Sequence, residues 1–392
     1  MKSEVTIVGA GVVGMTMAAL LIKQNVSVCL IDKKEIRVIQ GDNLFSGRTA
    51  ALNIYSENIF RELNLWNEIE RFTTNFNEII AWDKSGSSKI NFKASELDLK
   101  NLGYVVSNNA LIQALIKQNL SNDLFNFIGE VIIKDIKEED DLISIELEGK
   151  EAIHSNLLIG ADGGLSIVRE KSNIKSTKWS YNQKAIIANI SADREHGNIA
   201  RQVFTKTGPI ALLPFNYKNK ERISLVWSID DDTAEKVMCL SSNDFCGLLQ
   251  SNTEGILGKL KLEGEINSFP LNQLHADKYF NGRSVVIGDA AHTIHPLAGQ
   301  GLNLGIGDAE ELSRLISLAK RKAKNIGSEE VLQQFHNNRF FKNLKMMGLM
   351  ELFKKGFQSS NPWLKLGRNY IFQEADKIES LKKRLIREAV GI

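Results

Sequence analysis

Three glycines in Gly9-Ala10-Gly11-Val12-Val13-Gly14 leave the start of this chain few ways to fold. They separate an apolar segment at 4–8 from another at 15–24, and Val26-Ser27-Val28-Cys29-Leu30-Ile31 follows, ending on Asp32. The pattern predicts strand, tight turn, helix and second strand. Gly9 makes the turn, Gly11 lets a pyrophosphate approach the backbone, and Gly14 lets the helix lie close on the strand. Asp32 falls about 20 residues on, where a carboxylate can take a ribose hydroxyl. By itself the fingerprint serves NAD or FAD. Residues 5–22 are also about as long as a membrane span. Glu4 precedes them, no small-residue cleavage site ends them, and the next apolar run follows at once, so they read as buried strand, turn and helix.

A second stretch of this kind comes late. Ser284-Val285-Val286-Ile287 reads as a buried strand, Gly288-Asp289 follows, and residues 301–319 carry a helical pattern. Asp289 is thus expected at a strand's C-terminal end and Gly299 and Gly301 at a helix N-terminus. Free N–H groups and the positive dipole end there stabilise negative charge. Without Cβ atoms, Gly299 and Gly301 let a flat ligand approach the backbone. The third stretch, Gly160-Ala161-Asp162-Gly163-Gly164-Leu165-Ser166-Ile167-Val168-Arg169, follows the apolar run 157–159 and predicts strand, Asp-Gly turn and helix start.

The intervening segments are plainer. Residues 57–69 predict a helix with a Leu/Ile/Trp face, and 79–92 two strands around Lys84-Ser85-Gly86-Ser87. Gly103 to Asn108 open a helix at 109–120 with Asn108 or Asn109 as N-cap. Residues 126–147 predict a strand and a hairpin turning at the solvated acidic run Glu138-Glu139-Asp140-Asp141. Between 184 and 228, apolar segments at 185–188, 200–204, 208–213 and 223–227 alternate with turn residues, which suggests an antiparallel sheet. Such a sheet can roof a flat cofactor. Leu212, Leu213, Pro214, Phe215 and Trp227 are its candidate pocket walls, ordinary core packing being the alternative for each.

The 392 residues suffice for two joined domains, and a net charge of +2 makes no electrostatic case for nucleic acid. Three cysteines without CxxC spacing argue against a disulfide framework or zinc site and fit a reducing cytoplasm. His292 and His295, three apart and without a third ligand nearby, make a poor metal site. They read instead as a proton relay or as residues that order their loop, and no metal is expected. From Phe340 onward, Phe341, Leu344, Met347, Leu349, Met350, Leu352, Phe353 and Phe357 stand among Lys342, Lys345, Lys354 and Lys355. That face either packs on the body or lies on a membrane.

The late stretch resembles the second flavin motif of the group A flavoprotein monooxygenases, the family of para-hydroxybenzoate hydroxylase. In the ubiquinone-biosynthesis branch that motif reads H-P-x-A-G-Q-G-x-N-x-G-x-x-D. His295, Pro296, Ala298, Gly299, Gln300, Gly301, Asn303, Gly305 and Asp308 meet every fixed position. Residues 160–169 are similar to the family's G-A-D-G-x-x-S-x-V-R element, and Leu366-Gly367-Arg368-Asn369 also resembles this branch.

The resemblance implies an α/β fold. A Rossmann-like FAD-binding domain of the glutathione-reductase type would comprise 1–75, 98–178 and 273–338. An inserted, mainly antiparallel substrate sheet would comprise 76–97 and 179–272, with a helical C-terminal region at 339–392. It implies FAD contacts from Gly9, Gly11, Gly14, Asp32, Arg48, Asn108, Gln113, Val131, Asp162, Asp289, Pro296, Gly299, Gly301, Leu302 and Asn303. For Arg48 a solvated surface role is the alternative, for Asn108 and Gln113 capping or surface roles, and for Val131 a core position. Arg169 is expected to anchor the Asp-Gly loop. The flavin carries the chemistry, Pro296 and His295 border its face, and no side chain is assigned as catalytic.

The activity implied is an FAD-dependent monooxygenase that hydroxylates an aromatic ring through a flavin C4a-hydroperoxide. A polyprenylated phenol of ubiquinone biosynthesis is the most specific substrate implied. NAD(P)H or another donor reduces the flavin in this family, and any NAD(P)H is expected to bind transiently because no second complete G-x-G-x-x-G is present. A hydroxylase of small soluble phenols, an FAD-dependent reductase without oxygen insertion and a flavin-bearing assembly subunit stay open. Expected partners are a hydrophobic aromatic substrate and a quinone-synthesis complex. The protein would be cytoplasmic, its C-terminal region packing on the body on base rates, with peripheral contact to the inner face of the membrane as the alternative.

Overall fold

The first glycine fingerprint folds as its spacing requires. In the computed structural model, strand Lys2–Val8 enters helix Val12–Lys23, and strand Val28–Ile31 lies parallel to the first with Ile31 opposite Val8. Val5, Ile7, Met15, Met17, Leu21 and Leu30 are fully buried, which accounts for the apolar run at 5–22. The residues described are 1–41, 44, 48–84, 89–139, 141–217, 220–295, 299–358, 383, 387, 390 and 391, without the side chains of 352–358. Gly47, the 85–88 turn, Asp140, Pro296 and the 366–369 segment therefore lie outside the described residues, as do the tail side chains Leu352, Phe353, Lys354, Lys355 and Phe357. Among those described, no helix is long and apolar enough to cross a membrane.

The nucleotide-type sheet has eight strands. Five are parallel, in the order Ser284–Val286, Ile153–Gly160, Lys2–Val8, Val28–Ile31 and Phe125–Ile128. The hairpin Ile133–Glu139 and Leu142–Leu147 hangs from Ile153–Gly160. Its acidic turn is not wholly solvated: Asp141 Oδ1 accepts from an Arg283 guanidinium nitrogen at 3.2 Å. Register settles which ends meet. Val8 pairs with Gly160 and Gly160 with Val286, so three strands end level. Their exits are stitched together: Ala161 N–H donates to the Val8 carbonyl at 2.8 Å and Ile287 N–H to that of Gly160 at 2.9 Å.

A second eight-stranded sheet runs His292–Thr293, Leu260–Ala276, Ser176–Ala192, Lys220–Asp230, Gly208–Tyr217, Ile199–Thr205, Glu78–Asp83 and Lys89–Lys93. Its pairs are antiparallel except Ile199–Thr205 with Glu78–Asp83. One face packs on helices Asp231–Met238 and Ser242–Asn252 through Leu212, Trp227, Val237 and Phe245. The other turns towards the first sheet. A small sheet of Thr49–Leu52, Gly103–Ser107 and Thr73–Phe76 bridges the two. Helices Gln300–Arg321 and Glu329–Gln358 complete the fold.

Two helix expectations need correction. The predicted helix over 57–69 is two, Ile54–Glu62 and Trp66–Ile69, because Asn64 takes a left-handed φ of 59°. Asparagine tolerates that conformation and breaks the helix without strain. Helix Asn108–Leu120 starts one residue earlier than expected, so its N-cap is Ser107 rather than Asn108 or Asn109.

Candidate active site

The level strand ends bring the three glycine-and-acid turns to one rim, where a cavity of about 1300 Å³ opens. Gly9, Gly11, Asp32, Asp162 and Asp289 line one end of it. Gly9 has φ of 109° and a Cβ there would stand 2.4 Å from the Ala161 carbonyl oxygen; a Cβ on Gly14 would stand 2.0 Å from that of Gly9. The turn, the helix and the neighbouring strand can therefore close up only as glycine. Gly11 by contrast has open space beyond its Cα.

Each acid sits differently. Asp32 accepts from Ala10 N–H at 2.7 Å and Lys34 N–H at 2.9 Å, which orders the glycine turn beside it. Asp162 Oδ2 accepts from Ile167 N–H at 2.7 Å and Val168 N–H at 3.3 Å, at the start of helix Ile167–Lys171. Burial pushes the Asp162 carboxyl pKa up against these bonds. Asp289 reaches into the cavity, where crowding by protein atoms raises its pKa while His292 and Arg48 pull it down. Arg48, also on the cavity wall, holds its guanidinium carbon 4.4 Å from the Phe269 ring centroid. Arg169 acts as an anchor: its guanidinium donates to the carbonyls of Gly164 at 2.9 Å and Ala290 at 2.8 Å, tying the Asp162 turn to the Asp289 turn.

Asn108, Gly299, Gly301 and Leu302 line the same cavity. Gly14, Gln113, Val131 and Asn303 do not. Gln113 accepts from Ile39 N–H at 2.7 Å, and Val131 belongs to the main hydrophobic core. The Asn303 side chain turns away, accepting from Asn53 N–H and the Ser56 hydroxyl and donating to Ala51 O at 2.9 Å. It thereby fastens the helix start to the strand that follows Arg48. His295 is buried and meets Tyr181 edge-on, ring centroids 5.1 Å apart.

Asp308, the last fixed position of the late motif, is the centre of a buried network. It is fully enclosed, with Oδ1 accepting from Arg339 Nε at 2.7 Å and Asn343 Nδ2 at 3.0 Å. Its Oδ2 accepts from Gly288 N–H at 3.0 Å and meets His292 Nε2 at 2.5 Å. Burial would raise the Asp308 pKa; His292, Arg339 and the hydrogen bonds outweigh it and hold the carboxyl below its ordinary range. The network joins the Gly288-Asp289 turn to both C-terminal helices. His292 is thus an ordering residue, whereas Arg339 and Asn343 carried no sequence signal.

The far end of the cavity is the floor of the second sheet. Ile187, Ala211, Leu213 and Val226 face it. Of the five predicted wall residues only Leu213 lines it. Leu212 and Trp227 point to the opposite face, because neighbouring strand residues face opposite ways, whereas Phe215 shares the face of Leu213 but is taken up in packing with Phe76 and Val105. Period two would have found Ala211 and Leu213 had the starting phase been known. Val390, which also lines the cavity, had no signal at all.

These walls fit FAD. Helices Val12–Lys23 and Gln300–Arg321 begin at the cavity with neither a side-chain cap nor an acid in the first turn, so their N–H groups are open to an anionic ligand. Helices Ile54–Glu62, Asp231–Met238 and Ser242–Asn252 all have both. Asp162 Oδ1 and Asn108 Oδ1 are buried without a hydrogen-bond partner among the described residues. An orphan of that kind costs roughly 1–3 kcal/mol, which ribose or ribityl hydroxyls can relieve.

Known proteins give the same picture. Residues 2–341 match the family described as FAD binding domain. The 3-demethoxyubiquinol 3-hydroxylase of Escherichia coli is 30% identical over all of this chain and 99% of its own. The mitochondrial ubiquinone biosynthesis monooxygenase of Danio rerio is 29% identical over 98% of this chain and 88% of its own. In fold the chain is similar to a p-nitrophenol 4-monooxygenase from Pseudomonas putida, with a TM-score of 0.80 at 19% identity over 99% of this chain and 98% of that one. A cavity made for a dinucleotide and a match of that extent lead to one conclusion: the chain belongs to the FAD-binding-domain family and is an FAD-dependent aromatic monooxygenase.

Proposed function

We propose that the protein hydroxylates the ring of a polyprenylated phenol in ubiquinone biosynthesis, with NAD(P)H as electron donor. The observation that carries this reading is the continuity of the cavity, from the glycine-and-acid turns to an apolar floor. Bound FAD supplies the oxygen-inserting chemistry that side chains lack. The chain must hold it, keep water out and present the ring. In this reading Gly9, Gly11 and the helix start behind them receive the pyrophosphate, with Arg48 adding its charge. Asp32 takes the adenosine ribose, Asp162 lies between the pyrophosphate and the donor's approach, and Asp289 holds the ribityl chain. The N–H groups of Gly301 and Leu302 stabilise negative charge on the reduced ring. Asn303, Gln113, Val131 and Gly14 support these residues from behind, and His295 borders the reacting face.

The substrate class is supported by the functions of the two ubiquinone-pathway relatives, and by a volume above the roughly 300–1000 Å³ of a pocket for one small ligand. In the same reading 1–75, 98–178 and 273–338 form the FAD-binding unit and 76–97 with 179–272 the substrate unit. The C-terminal helix buries Met347 and Met350 but leaves Phe341 and Leu344 exposed beside Lys342 and Lys345. An apolar strip edged with lysine suits the anionic inner face of a membrane, where a greasy substrate and a quinone-synthesis complex would meet the enzyme.

Purified protein should be yellow. Given NAD(P)H and a prenylated phenol, it should consume oxygen and form hydroxylated product in equal amounts. Oxygen uptake without product would leave only a reductase, and turnover confined to unprenylated phenols would leave a small-phenol hydroxylase. Normal ubiquinone in a deletion strain would exclude the pathway.

A further inference from the structure

The floor of the cavity is not uniformly apolar. On strand Ile199–Thr205, period two places Ala200, Gln202 and Phe204 on one face. Gln202 lies across from Ala81 on one neighbouring strand and Ala211 on the other, and Ala200 stands beside it along its own. With methyl side chains on three sides of it, the longer Gln202 side chain stands above these neighbours and carries its amide to the cavity. Phe204, packed with Met350 of the C-terminal helix, closes one side. Gln202 lines the cavity, and its side chain makes no hydrogen bond among the described residues. A carboxamide in apolar surroundings gains most from a partner that both accepts and donates, because each unmet position is costly away from water. A phenolic hydroxyl is such a partner and a methyl group is not. Asn189, another cavity-lining amide, lies three strand spacings away and is flanked by Ser224 and Glu263 rather than by alanines, and Asn267 and Asn272 of strand Leu260–Ala276 lie one strand further still.

We propose that Gln202 is the specificity-determining residue of the substrate end: its amide N–H donates to the phenolic oxygen and its carbonyl accepts the phenolic O–H. The assignment rests on the phenol-hydroxylase reading above. It is tested without turnover, by following the flavin absorbance of FAD-loaded protein during titration with 4-ethylphenol and with 4-ethyltoluene, which differ only in OH for CH3. Wild type should prefer the phenol, and Gln202→Leu should reduce that preference about tenfold, the size of one hydrogen bond. FAD content, read from the same spectra, should be unchanged. An equal preference in wild type and Gln202→Leu would overturn the assignment and leave the phenol reading standing. Loss of FAD from Gln202→Leu would move the residue to the cofactor and overturn it also. Failure of either compound to perturb the wild-type flavin would overturn both readings together.

Discussion

Replacing Asp308 with Asn tests whether the late motif is held by a buried ion pair. The change keeps the shape and removes the charge, leaving the Arg339 guanidinium almost fully enclosed without its counter-ion. With charges about 4 Å apart and an effective dielectric of about 20, the attraction lost is about 4 kcal/mol. Breaking buried pairs by removing one partner typically costs about 3–5 kcal/mol. The amide also turns an N–H pair towards two existing donors, Arg339 Nε and Asn343 Nδ2 or Gly288 N–H and His292 Nε2, so no orientation satisfies all four. We expect urea unfolding of the FAD-free protein, followed by circular dichroism, to show a loss of about 4 kcal/mol. FAD binding should weaken too, because Gly288 precedes Asp289. The Asp308 carboxyl lies below its ordinary range, so its contribution is complete above an unfolded pKa of about 3.9 and is lost as pH falls through the folded value. The gap between wild type and variant should therefore persist at neutral pH and narrow only in acid. In a double-mutant cycle with Arg339→Met, the double variant should lose much less than the sum of the singles. Strict additivity, or a loss below about 1 kcal/mol for Asp308→Asn, would refute the ionic clamp.

Asp289→Ala should release FAD while leaving the circular dichroism spectrum intact, since the side chain projects into the cavity; full FAD retention would remove it from the site. His275 has its pKa lowered to about 4 by burial, with the neighbouring His292 adding to the effect. A depressed histidine gives stability that is present above the unfolded pKa of about 6.5 and lost as pH falls towards 4, roughly 3 kcal/mol over that window. His275→Phe should flatten this part of the stability profile, and an unchanged slope would assign it to other groups. Phe341→Ser should lower co-sedimentation with anionic vesicles; equal binding by wild type and variant would move membrane contact away from the C-terminal helix.

Much of the nucleotide end was legible because its requirements are local. A turn that must pass within contact of a carbonyl needs glycine, as at Gly9 and Gly14, and an acid at a strand end is marked by the apolar run before it, as at Asp289. The length and order of the late motif likewise brought Asp308 into view. Its task was hidden, because Arg339 and Asn343 lie a full helix away and nothing near them in the chain marks them as buried. The family resemblance implies a cofactor contact for Asn303, yet its amide is taken up by Asn53, Ser56 and Ala51.

What the chain determined unaided, then, was three turns built to receive an anionic dinucleotide, since backbone geometry and glycine placement are properties of adjacent residues. Only the tertiary structure decided that Val8, Gly160 and Val286 end level, and that Leu213 rather than Leu212 faces the cavity with Gln202 among alanines. Those depend on strand register and phase. One residue of slip exchanges the faces of a whole strand, and a single sequence carries no mark of which slip is avoided.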